Sequence, residues 1–97
     1  MRPSESVTAH RDRILKVLDR KNLQNPRLFG SAARREDHAS SDLDILVDAP
    51  PGTSLFDLAA VEIELEELLG CRTEILTEAF LSPDVRRRVA SELVPLR

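Results

Sequence analysis

The chain has 97 residues, 41% of them hydrophobic and 32% charged, and carries a net charge of −3. That length and apolar content specify one small domain, residues 1–97, whose core must be built from Leu, Val, Ile and Ala, because there are three Phe and no Trp or Tyr. The 17 acidic residues against 14 basic ones argue against a domain that grips nucleic acid by bulk charge, so no direct nucleic-acid binding is expected.

Other broad features narrow the setting. The single cysteine, Cys71, cannot close an internal disulfide, which suits a cytoplasmic, reducing location. No apolar run approaches the ~18 residues of a membrane helix, so no membrane partner is expected. The polar start, MRPSESVTAHRDR, does not read as a signal peptide.

In chain order, residues 1–5 read as a loose, flexible end. Ser6 to Lys21 has helical periodicity, with Val7, Ile14, Val17 and Leu18 near one face. Asn25-Pro26 is a turn signal that ends this segment. Arg27 to Phe29 reads as a short strand leading into Gly30-Ser31, and Ala32 to Asp37 as one or two helical turns. After a polar loop, Asp42 to Val47 or Asp48 is a second strand. Ala49-Pro50-Pro51-Gly52 is a loop.

Ser54 with Asp57 resembles a capping box, and Leu55, Leu58, Val61, Leu65 and Leu68 form one apolar stripe that Gly70 stops. Arg72 to Thr77 reads as a third strand. Ser82-Pro83 starts a last helix with the stripe Val85, Val89 and Leu93, ended by Pro95. The order α-β-(short α)-β-α-β-α predicts an α/β (α+β) domain with a small mixed sheet of three or four strands and helices packed on it. Pattern alone leaves the first-to-second-strand connection open between a crossover and an antiparallel return.

The chemistry concentrates in Leu28 to Asp48. Asp42 and Asp44 stand at i and i+2 beside the apolar run Leu43, Ile45, Leu46 and Val47, so a strand projects both carboxylates to one side. Two such carboxylates repel unless a cation bridges them, and Mg²⁺ favours hard oxygen ligands completed by substrate phosphates. A solvated strand end, with Asp42 in an Asx turn, is the structural alternative.

Gly30 permits close backbone approach, and Ser31 at a helix start offers a hydroxyl and free N–H groups to a phosphate; a plain helix cap is the alternative. Glu74 could join the two aspartates if the third strand neighbours the second, or it could simply face solvent. Three carboxylates, two metal ions and a nucleoside triphosphate would form a nucleotidyl-transfer site. Arg34 suits phosphate oxygens with its guanidinium fork, or is a solvated helix charge. Ser41 could orient Asp42 or close the loop. His38 and His10 read as surface residues, Arg86 to Arg88 as a solvated face, and Cys71 as core filler.

Gly30-Ser31, ten residues, then Asp42-Leu43-Asp44 resembles the signature of the DNA-polymerase-β-like nucleotidyltransferases, and the short length resembles their minimal nucleotidyltransferase (MNT) branch. Ala33-Arg34 and Ser41 fit the same motif. Thr73-Glu74-Ile75-Leu76-Thr77 is similar to the branch's V-D-L-V-T strand, and Leu81-Ser82-Pro83 and the arginine-rich last helix are similar too. The resemblance covers about residues 10 to 95. Two positions depart from it: Arg35 stands where Gly is usual, and Glu74 where Asp is usual.

The resemblance implies an Mg²⁺-dependent antitoxin enzyme that moves AMP from ATP to a tyrosine of a partner HEPN ribonuclease toxin. It implies Asp42, Asp44 and Glu74 as catalytic residues and ligands of two Mg²⁺ ions. Gly30, Ser31, Arg34 and Ser41 would bind nucleotide. It also implies a partner that supplies the acceptor, in a homo-oligomer or a hetero-oligomer with the toxin. The alternatives are an MNT antitoxin with a weak or inactive site that neutralises its toxin by contact alone, and a small-molecule nucleotidyltransferase of the aminoglycoside-modifying kind.

Overall fold

A computed structural model describes all 97 residues. Helix α1 spans Pro3–Arg20, strand β1 Gln24–Phe29, helix α2 Gly30–Arg34, strand β2 Leu43–Asp48, helix α3 Leu55–Leu69, strand β3 Thr73–Leu76, helix α4 Pro83–Ala90 and strand β4 Val94–Pro95, with a 3-10 turn at Glu78–Phe80. No helix is long and apolar enough to cross a membrane.

The sheet is mixed, with strand order β3-β2-β1-β4. β1 and β2 pair antiparallel, which settles the connection the sequence left open: α2 lies within a return, not a crossover. β2 and β3 pair parallel, with α3 between them in sequence, as a parallel neighbour requires a long connection. The two-residue β4 pairs antiparallel with β1. Proline at 95 is tolerated there because β4 is an edge strand.

Alternate residues of β2 feed two cores. Leu43, Ile45 and Val47 enter a cluster of 16 buried residues that includes Ile14 and Leu18 of α1 and Leu58, Val61 and Leu65 of α3. Leu46 points the other way and packs with Phe29, Leu81 and Val89 of α4. Full burial of each such side chain contributes about 1.5–3 kcal/mol. Asp44 lies on the Leu46 face, between the apolar centre of the sheet and solvent.

Several expected boundaries move. Residues 1–5 are not a loose end, because α1 begins at Pro3 and Ser4 is 7% exposed. Its N-cap, Arg2, provides no side-chain cap. Asp37 does so from the far side of α2: its Oδ2 accepts the Ser4 N–H at 2.8 Å and its Oδ1 the Ser4 hydroxyl at 2.9 Å. Asn25-Pro26 does not end a segment but sits within β1. Asn25 has φ +50, and the register shifts between Gln24 and Arg27, the local irregularity that an extra strand residue produces.

Leu93 lies beyond α4, which ends at Ala90. On α3, Leu55 is 56% exposed and the buried stripe is Leu58, Val61, Leu65 and Leu69. The Ser54–Asp57 capping box forms as expected, with Ser54 N–H donating to Asp57 at 2.8 Å and Asp57 N–H to the Ser54 hydroxyl at 3.1 Å. Ser82 likewise caps α4 through the Val85 N–H.

β3 is the outer strand, yet its free N–H groups are not bare. Glu62 accepts the Ile75 N–H at 2.7 Å and Glu66 the Thr73 N–H at 2.9 Å, both from α3. These carboxylates occupy the positions another strand would pair with.

Candidate active site

The site forms where β1 ends, β2 begins and β3 runs alongside. Phe29 is opposite Asp44 in the antiparallel register, and Asp44 is opposite Glu74 in the parallel one. The next residue after Phe29 is Gly30, so the turn into α2 rises directly beside Asp44. Gly30 has φ +74, a conformation that costs other residues about 1–2 kcal/mol. A Cβ there would lie 2.5 Å from Asp44 Oδ2. Glycine is therefore required twice over, by backbone conformation and by the carboxylate packed against it.

Asp44 is half-buried, whereas Asp42 and Glu74 are exposed. Burial, then the charges of Glu74 and Asp42, push the Asp44 carboxyl up to about 6, with the Arg34 charge acting in the opposite direction. Three carboxylates share this corner, and the Arg34 guanidinium compensates part of their charge at Asp44. No three acidic, His or Cys side chains close into a preformed metal cage as they stand, and Asp44 and Glu74 are the pair in direct contact.

The donor set nevertheless fits magnesium. It consists of hard oxygens, its innermost carboxylate is destabilised by like charge, and the Gly30 backbone leaves its space open. Magnesium takes one or two protein carboxylates and completes its shell with water and substrate phosphates. A cleft of about 470 Å³ runs beside this corner, lined by Asp42, Arg72 and Glu74 among others.

The other expected site residues are placed as follows. Ser31 is the second residue of α2, one step beyond Gly30. Arg34 ends α2, donating from Nε to Glu36 at 3.1 Å and from Nη1 to Glu92 at 2.7 Å. The bond to Glu92, then that to Glu36, raises the already basic Arg34 further. Ser41 is turned toward its own loop: its hydroxyl accepts the His38 N–H at 2.9 Å and its N–H donates to the His38 carbonyl at 2.9 Å. These two bonds close the loop, and the Ser41 hydroxyl proton is not used in them. Arg35 takes φ +57 as the C-cap of α2, which explains in physical terms why glycine would suit the position.

Glu92 was not singled out by the sequence. It lies 58 residues from Arg34 and 62 from Gly30, yet contacts both. No local pattern signals a contact across that separation.

A phosphate-type turn abutting paired carboxylates on adjacent strands defines a nucleotidyl-transfer architecture. Residues 11–96 match the family model described as nucleotidyltransferase domain, and the chain belongs to this family. A Methanocaldococcus jannaschii protein provisionally named protein adenylyltransferase MJ0435 is 38% identical over 82 residues, covering 84% of this chain and 88% of that one. Protein adenylyltransferase MntA of Thermococcus cleftensis is 33% identical over 88 residues, covering 91% of this chain and 86% of its own.

Among solved structures, one provisionally described as a minimal nucleotidyltransferase superposes with a TM-score of 0.81 at 39% identity, covering 95% and 94% of the two chains. In a structure of a tri-AMPylated Shewanella oneidensis HEPN toxin with an MNT antitoxin, one chain shares the fold at TM-score 0.72 and 21% identity, over 93% of this chain and 71% of that one. The protein is thus a minimal nucleotidyltransferase of the protein adenylyltransferase kind.

Proposed function

We propose that the chain is the antitoxin enzyme of a toxin–antitoxin pair, transferring AMP from ATP to a tyrosine hydroxyl of a HEPN-domain toxin. The tyrosine oxygen bonds to the α-phosphorus of ATP. The bond from that phosphorus to the bridging oxygen breaks, and pyrophosphate leaves with the electron pair. Glu74, exposed on the outer strand β3, takes the hydroxyl proton. Gly30 and Ser31 seat the phosphate chain at the end of β1, and Arg34 meets its oxygens.

Asp42, Asp44 and Glu74 would hold Mg²⁺. When bound, Mg²⁺ neutralises charge on the phosphates and offsets the repulsion among these carboxylates. The single observation that carries this reading is the register Asp44↔Glu74 beside Gly30, which gathers carboxylates and phosphate turn at one corner. Relatives named as protein adenylyltransferases, and a fold-mate solved with an AMPylated HEPN toxin, support the acceptor class.

The test is incubation with labelled ATP, Mg²⁺ and a cognate HEPN protein. Label should appear on the partner, vanish with a chelator, and vanish in Asp42→Ala with Asp44→Ala. If that double variant still neutralises the toxin without labelling it, the protein works by contact alone. Transfer to an aminoglycoside with no protein acceptor would replace both readings.

A further inference from the structure

We propose that Glu92 is a positioning residue for the phosphate turn, holding Gly30 and Arg34 in their nucleotide-receiving geometry. This inference rests on reading Gly30, Ser31 and Arg34 as the triphosphate site. Helix α2 has five residues, and its N-cap Phe29 provides no side-chain cap. A helix that short does not hold its own shape, since nucleation is unfavourable and few of its groups find partners within it.

Glu92 supplies the missing bracket from outside. Its Oε1 accepts the Gly30 N–H at 3.4 Å, at the first residue of α2. Its Oε2 accepts Arg34 Nη1 at 2.7 Å, at the last. One carboxylate therefore spans both ends of α2.

Glu92 is itself anchored on both sides. Its N–H donates to the Val89 carbonyl at the end of α4 at 2.9 Å. Just beyond it, β4 pairs with β1, and the Leu96 N–H donates to the Pro26 carbonyl at 2.9 Å. The Glu92 side chain is 20% exposed and that of Arg34 42%, so the carboxylate is held against the protein while the guanidinium stays open to solvent and ligand.

The geometry also leaves Arg34 usable. Glu36 engages Nε and Glu92 engages Nη1, so the Nη2 amino group remains for a phosphate oxygen. Two carboxylates fix the plane of the guanidinium, and the third nitrogen serves the ligand. Arg34 is thereby oriented before nucleotide arrives, which lowers the ordering required on binding.

The experiment is calorimetric titration of the full chain with Mg·ATP, with a melting curve for each variant. Wild type should bind, and Glu92→Ala should raise Kd by about tenfold, the scale expected for loss of one charge-assisted contact. Glu92→Gln keeps an oxygen for Gly30 but loses the charge facing Arg34. It should fall between the two and remain folded even if the alanine variant does not. Arg34→Ala should weaken binding less in the Glu92→Gln background than in wild type, because the two residues act as a unit.

Lower melting with unchanged Mg·ATP affinity in both Glu92 variants would make Glu92 a brace alone and overturn the inference. Tighter binding would overturn it in the other direction, marking the carboxylate as a competitor for the phosphate seat. Absence of Mg·ATP binding by wild type would instead overturn the triphosphate reading, and this inference with it.

Discussion

Gly30 and Asp44 are built around each other: a Cβ at residue 30 would lie 2.5 Å from Asp44 Oδ2, and Gly30 already holds φ +74. Gly30→Ala should therefore lower both stability and AMP transfer. The backbone term alone is about 1–2 kcal/mol, and the carboxylate must also shift. Adding Asp44→Ala should recover part of the lost melting temperature and none of the activity. If the effects of the two substitutions on stability were additive, the contact would not be the cause.

Asp37 joins α1 to the segment after α2 through the Ser4 N–H and hydroxyl. Asp37→Ala should cost about 1–3 kcal/mol, because it leaves buried Ser4 donors without an acceptor. Burial pushes the Asp37 carboxyl up, but the bonds from Ser4 outweigh it and hold the carboxyl below the usual range. A folded-state value below the unfolded one means that the contribution is present above the unfolded value. It is lost as pH falls through the folded value. Denaturant titrations of wild type and Asp37→Asn should therefore differ at neutral pH and converge in acid. A gap that widened in acid would reverse the assignment.

Arg35 ends α2 at φ +57. Arg35→Gly should stabilise the protein by up to about 1 kcal/mol, relief of the left-handed strain being partly offset by the greater freedom of glycine in the unfolded chain. Its side chain makes no ion pair in the structure that would be lost. A lowered melting temperature would show that Arg35 has a contact of its own to lose, for example with a partner.

Glu62 and Glu66 cover the outer edge of β3. Replacing both with alanine should remove about 0.5–1.5 kcal/mol per bond and expose two strand N–H groups to another chain. Light scattering should then show concentration-dependent association beyond that of wild type. An unchanged association state with an unchanged melting curve would mean water satisfies the edge equally well.

Much of the architecture was legible because its signals are local. Ser54 with Asp57, and Ser82-Pro83, are read within a single helical turn, and both caps form. The alternation around Leu43 to Val47 marked a strand whose odd-numbered residues are buried together. What failed was long-range. Residues 1–5 looked loose because their anchor, Asp37, is 33 residues away from Ser4. β4 looked like a helix end because two residues ending in proline carry no strand periodicity, and only β1 makes them a strand.

By itself, the sequence determined the spacing of the site: Gly30-Ser31, ten residues, then Asp42 and Asp44. Strand geometry places alternate residues on one side, so those two carboxylates belonged together before any fold was known. Only the tertiary structure decided what meets them. The parallel register places Glu74 beside Asp44, the turn conformation removes any side chain from Gly30, and Glu92 arrives from the far end of the chain to span α2. Each of these joins residues separated by many positions, and their proximity is fixed by packing and strand register, which no local pattern encodes.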